Sequence, residues 1–226
     1  MISAPTTTTA SVSRLDLDRR SECADFLRGR RAPVPPGDPV QPADGVPPYL
    51  RSLLRLVEPY PAAVQDGRWQ ILAFNRSYDA LFELESVPPR SRNAMLLYFT
   101  DPQLRRQMPE WQVEAPRVVS QFRAAMARHA TDPVWAGLLD RLRHGSPEFE
   151  RLWQQRDPFD PGHAPQRFLH PVVGSLRLAP YHLWSEPRPD GLVTVGYAPA
   201  DAATAVKLPR LQALSTLSGP VNAPRG

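Results

Sequence analysis

The sequence predicts an α+β fold: a five-stranded antiparallel sheet with a large helical insertion packed on one face. Three observations predict it. Apolar residues alternate with a period of two in two short runs before residue 75 and in three more after residue 165. Between these runs, from 89 to 156, the period becomes helical, and segments open repeatedly on Asp-Pro or Ser-Pro. Tight-turn residues, Asp66-Gly67 and Pro189-Asp190-Gly191, join consecutive strands and make them antiparallel neighbours.

The elements follow in chain order. Residues 1–18 read as a disordered leader and 19–31 as a short basic helix with Cys23, Phe26 and Leu27 on one face. Prolines at 33, 35, 36, 39 and 42 make 32–46 an extended linker, because the ring fixes φ and removes the backbone N–H. "PPYLRSLLRLVEPY" has prolines in its first turn and Leu50, Leu53, Leu54 and Val57 at helical spacing, so it forms an amphipathic helix ended by Pro59. Strands are predicted at 61–65 and 69–74, joined by a two-residue Asp-Gly turn whose central positions take positive φ. Asn75 caps a helix over 76–84 with Tyr78, Leu81 and Phe82 inward.

The helical middle contains "SRNAMLLYF", "DPQLRRQM", "PEWQVEAPRVVSQFRAAMARHA", "DPVWAGLLDRL" and "SPEFERLWQQ", with a kink expected at Pro116. Strands follow near 166–170, 174–184 and 191–198, then a closing helix from 201 and a flexible tail from 215. Two strands, a helical middle and three strands is the order of a PAS-like sensor domain, here over 47–214, with a cavity between sheet and helices.

Composition narrows the function. The chain has 226 residues, 42% of them hydrophobic, which suits one domain of ordinary size plus tails. No apolar run is long enough to span a bilayer, and the N-terminus lacks a secretory signal, so a cytoplasmic location is expected. The single Cys23 excludes an internal disulfide. The net charge of +4 does not mark a nucleic-acid surface: acids balance bases over residues 1–45, and the excess is diffuse across the helical middle.

No nucleophile elbow, phosphate loop or dinucleotide fingerprint is present, and histidines 129, 144, 163, 170 and 182 lack metal-ligand spacing. Neither catalytic residues, nor a metal, nor a cofactor is expected, and the chain is not read as an enzyme. An arginine at the rim of an apolar cavity would bind a carboxylate bidentately, which makes Arg92 a candidate, with a surface role the alternative. Asn75 is explained by capping, with ligand contact the alternative, and His170 either bonds a backbone carbonyl or meets ligand. Trp111, Trp135 and Trp153 are core residues first and pocket walls second.

Several motifs occur together and in order: Phe74-Asn75, Arg92-Asn93 with Phe99, Asp101-Pro102, Glu110-Trp111, Asp132-Pro133, Ser146-Pro147-Glu148-Phe149, Trp153, Arg156-Asp157 and "FLHPVVGSLRL". As a set they resemble the ligand-binding domain of the MmyB-like transcription regulators of actinobacteria and relatives, over roughly residues 47 to 212. The resemblance implies a PAS-like domain whose cavity accepts an apolar small molecule, with fatty acids the expected class. Candidate ligand-binding residues are Asn75, Arg92, Asn93, Phe99, Trp111, Phe122, Trp153 and His170.

In that family an N-terminal helix-turn-helix precedes the domain, and "ECADFLRGRRAPV" resembles its first helix. Prolines follow where a second helix and a recognition helix would stand, so sequence-specific DNA binding by this chain alone is not expected. Phe74 stands where the family usually has Trp, and Pro116 lies in a helix that the family normally leaves uninterrupted. The expected partners are the small molecule and a second chain, either another copy or a full-length relative that this chain would block; the alternative is a regulator that reaches DNA through that partner, and no membrane is expected as a partner.

Overall fold

Residues 45–129, 131–155, 164–185 and 191–215 are described by the computed structural model, and all of them belong to the second of two units into which the chain divides after Val40. The leader, the basic helix at 19–31, most of the proline-rich linker, Arg156-Asp157, most of the Pro189-Asp190-Gly191 turn and nearly all of the tail lie outside the described residues.

Helix α1 (Pro48–Leu56) leads into strands β1 (Ala62–Gln65) and β2 (Ile71–Phe74), then helix α2 (Arg76–Phe82). Two single-turn 3₁₀ segments lead to α3 (Ala94–Thr100), α4 (Pro102–Gln107), α5 (Trp111–Met126), α6 (Pro133–Gly145) and α7 (Pro147–Gln155). Strands β3 (Gln166–His170), β4 (Gly174–Trp184) and β5 (Val193–Pro199) follow, and two short helices, α8 (Ala202–Ala205) and α9 (Leu208–Gln212), close the described chain. The strands form one five-stranded sheet in the order β2-β1-β5-β4-β3, with every neighbouring pair antiparallel.

Local signals account for the helix starts. Asn75, Asn93, Asp101 and Asp132 each accept hydrogen bonds on the side chain from N–H groups of the first turn, and Pro102 and Pro133 occupy the position where a missing N–H costs nothing. Helix α5 runs unbroken from Trp111 to Met126 with Pro116 inside it.

Both sheet faces are covered over β1 and β2. Alternation points Ala62, Val64 and Ala73 to one face, where they meet Leu50 and Leu54 of α1. Ala63 and Phe74 point to the other, against Tyr78 and Leu84. On this second face the helical layer buries its core: Phe99, Trp111, Phe122, Trp135 and Phe149 pack with Phe168, Leu176 and Leu178 of the sheet. The insertion therefore lies on one face as predicted, while α1 takes the opposite one.

The β1–β2 connection differs from the prediction. Gln65 pairs with Ile71, leaving Asp66 to Gln70 in the loop, and the positive φ of 60° falls on Trp69 rather than Gly67. Asp66 Oδ1 accepts from the Arg68 and Gln70 N–H groups, both at 2.9 Å, which holds the loop closed. This conformation turns the Trp69 ring onto Phe122 and Trp135, with centroids 5.5 and 5.8 Å away. Burying that indole offsets a left-handed backbone that costs a non-glycine residue roughly 1–2 kcal/mol. The closing helix is also two short helices rather than one, with Pro209 in the first turn of the second.

Candidate functional site

The inner face of the sheet and the helical layer enclose a cavity of about 140 Å³. The sheet contributes Gln65, Ile71, Phe168, Pro180, His182, Val195 and Tyr197; α2 supplies Tyr78 and Phe82; α3 supplies Met95, Leu97 and Tyr98; and α5 supplies Arg117, Val118 and Gln121. The wall is aromatic. Tyr78 and Phe82 lie 4.5 Å apart by centroid, and Phe82, Phe168 and Tyr197 stand within 5.8 to 5.9 Å of one another. Edge-to-face and tilted packing of this kind fixes ring positions more firmly than aliphatic contacts would.

The tyrosine hydroxyls of the cavity are neutral. Burial holds the Tyr197 hydroxyl at a pKa of about 12 and raises Tyr78 well above the ordinary tyrosine value; Tyr98 is raised for the same reason. All three hydroxyls stay protonated at neutral pH. Arg117, 8% exposed, is the buried cation of the wall. Its Nε donates to Glu114 Oε2 at 2.9 Å and a terminal nitrogen lies 2.8 Å from the same oxygen, so the guanidinium charge is compensated on its own helix. The cavity thus offers an apolar surface, hydroxyl and amide hydrogen-bond partners, a neutralised ion pair, the His182 ring and the Asp101 carboxylate, whose Oδ1 is engaged in capping α4. Among the described residues no group of His, Cys, Asp and Glu is placed to hold a metal ion, and no helix is long and apolar enough to cross a membrane.

The candidate residues read from the sequence sit around this cavity without lining it. Asn75 satisfies all four of its hydrogen-bonding positions: Oδ1 accepts from the N–H groups of Ala62 and Tyr78, and Nδ2 donates to the carbonyls of Leu54 and Tyr60. Asn93 caps α3 and donates to the Arg68 carbonyl. Arg92 does not line this cavity; its Nε donates to the carbonyls of Leu84 and Val87 at 3.0 and 2.8 Å, and its guanidinium lies over the Phe74 ring.

Phe99, Trp111 and Phe122 are core residues, and Trp153 is a partly buried neighbour of that core, covered by the Arg123 guanidinium. Trp111 Nε1 donates to the Tyr98 carbonyl. His170 bonds the Ala80 carbonyl through Nε2, while Nδ1 accepts from the N–H groups of Val172 and Val173.

The cavity residues that sequence reasoning passed over are Trp69, Tyr98, Arg117 and Tyr197. Arg117 carried a usable signal: it follows Pro116 in a helix whose neighbours are apolar, and a charged residue there must be paired or at a functional wall. Trp69 carried one too, as a large aromatic set against a loop.

Comparison with known proteins gives one family match. The model for the MmyB-like transcription regulator ligand binding domain matches residues 46–211. No curated protein matches the chain.

Proposed function

The chain belongs to the MmyB-like transcription regulator ligand binding domain family, and from that premise we propose that the cavity between sheet and helices is its ligand site, filled by a small amphiphile with an apolar body and one polar end. The observation that carries this reading is the cavity wall: Tyr78, Phe82, Phe168 and Tyr197 supply apolar contact, and buried, protonated tyrosine hydroxyls supply orientation. Fatty acids are of this chemical kind. The cavity volume of about 140 Å³ is close to the roughly 150 Å³ that takes a benzene ring in an engineered protein cavity, so the part of a ligand that fits inside without movement is short. A longer chain has to displace wall side chains.

The test is a thermal melt of the purified protein with straight-chain acids from hexanoic to hexadecanoic. A ligand at 100 times its dissociation constant adds about 2.7 kcal/mol. Shifts should rise with chain length while methylenes are being buried, and then level off. No shift with any member of the series overturns the reading.

We also propose that the chain does not read DNA bases by itself and reports ligand occupancy through a partner chain. Support comes from the prolines after Arg31, which interrupt any recognition helix at that point.

A further inference from the structure

Among the described residues, Arg117 is the only lysine or arginine that lines the cavity, and its side chain is 9% exposed. A guanidinium presents two edges to acceptors, one formed by Nε and the terminal nitrogen beside it, the other by the two terminal nitrogens. Glu114 takes the first edge: Nε donates to Oε2 at 2.9 Å, and Nη2 lies 2.8 Å from the same oxygen. The second edge is open. Nη1 has no hydrogen-bond partner among the described residues, yet it is not one of the polar atoms that packing seals off, so it keeps accessible surface.

The surroundings of that edge suit an anion. Burial raises the Tyr98 and Tyr197 hydroxyl pKa values and the Arg117 charge draws both back, so the guanidinium stands near both hydroxyls. The Tyr197 hydroxyl is likewise neither paired nor sealed off among the described residues, which leaves it free to donate. Asp101, the carboxylate that lines the cavity, has Oδ1 occupied by the N–H groups of Gln103 and Leu104. Glu114 is only partly buried, so a rotamer change carries its carboxylate to solvent.

We infer that the Arg117–Glu114 pair sets the head-group selectivity of the cavity: a ligand carboxylate takes the open edge of Arg117 in competition with Glu114. The inference rests on the cavity being the ligand site and adds the atoms that choose the polar end. A carboxylate across Nη1 and Nη2 gains two charge-assisted hydrogen bonds, with the Tyr197 hydroxyl as a further donor. Its arrival sets two negative charges on one positive charge in a poorly solvated space, so Glu114 has to yield. Glu114 therefore opposes anions in particular and leaves the fit of the apolar body alone.

The experiment is calorimetric titration of the full chain at pH 8, above the ordinary histidine range, with propylbenzene, 3-phenylpropan-1-ol and 3-phenylpropanoate. The quantity read is the affinity of the carboxylate relative to the alcohol. Glu114→Gln keeps the shape of the side chain and removes the competing charge, and it should raise that ratio about tenfold. Arg117→Gln should lower the ratio to one or below. An ion pair that only braced α5 would change the melting temperature in Glu114→Gln and leave the ratio alone.

Glu114→Gln decides the matter by itself, since the position is partly exposed and the fold does not depend on its charge. A ratio that this variant leaves unchanged or lowers, with propylbenzene still bound, overturns the inference while the cavity stands. If propylbenzene binds to none of the proteins, the cavity reading fails and takes the selectivity of Arg117 with it.

Discussion

The Tyr181 ring lies over Gly196 on the neighbouring strand, so close that a methyl group on Gly196 would sit 2.1 Å from Tyr181 Cζ. The pair closes the β4–β5 ladder on the face away from the cavity. Gly196→Ala should therefore displace the ring and cost about 1–3 kcal/mol, the usual range for overpacking. In the background of Tyr181→Ala the same change should cost much less, because the space is then vacant. Denaturant melts of the two single variants and the double variant check this; additive costs would show that the ring is free to move aside.

Asn75 ties α1, β1 and α2 together through four hydrogen bonds. Asn75→Asp keeps the shape and both acceptor bonds. It removes the donors to Leu54 and Tyr60 and buries a charge at a residue only 1% exposed. The expected loss is at least about 2 kcal/mol, or several degrees in Tm for a chain of this size. A melt within a degree of the parent would contradict this.

Arg92→Lys separates a structural arginine from a ligand-binding one. Lysine cannot place one N–H between the Leu84 and Val87 carbonyls as Arg92 Nε does. Stability should fall by about 1–2 kcal/mol while the affinity of the folded protein for propylbenzene stays unchanged. A variant of unaltered stability that loses carboxylate ligands would restore Arg92 to the site.

His170 sets a pH dependence. Its Nδ1 faces the N–H groups of Val172 and Val173, so protonation there breaks both contacts, and burial lowers its pKa below the ordinary 6.5. A depressed folded pKa means that the unfolded chain binds the proton more readily. The contribution is fully present above pH 6.5 and is lost as pH falls through the folded-state value. Melting temperature should decline between pH 7.5 and pH 5, and His170→Asn should flatten that decline. Equal slopes for both proteins would assign the acid sensitivity to other groups.

Binding of the chain alone to its own upstream DNA and to a scrambled duplex should be weak, similar for both, and lost with rising salt, as phosphate contacts by scattered arginines predict. Fluorescence anisotropy near 150 mM salt measures it. A preference of a thousandfold for the upstream duplex would overturn the proposal that base readout belongs to a partner.

The fold was legible because its determinants are local. Period-two alternation marks β3 and β4 at the residues where the strands lie, and the Asn75 and Asp-Pro starts mark α2, α4 and α6, since a cap needs only its own first turn. The Trp69 loop escaped this reading because its conformation is decided by where the indole is buried, and a turn dipeptide carries no record of that. The cavity proposed as the ligand site was less legible still. Asn75, Arg92, Asn93 and His170 stand out in the sequence as polar residues in apolar stretches, and each turned out to satisfy backbone groups that join one element to the next.

The cavity wall has no such signature. Tyr78, Tyr98, Arg117 and Tyr197 belong to three helices and a strand, and each reads locally as an ordinary residue of its element. The sequence by itself determined the elements, their order and the apolar faces that make them pack, because backbone hydrogen bonding and burial are local or periodic requirements. Only the tertiary structure decided which side chains share a space, because a cavity is what the packing of distant segments leaves unfilled.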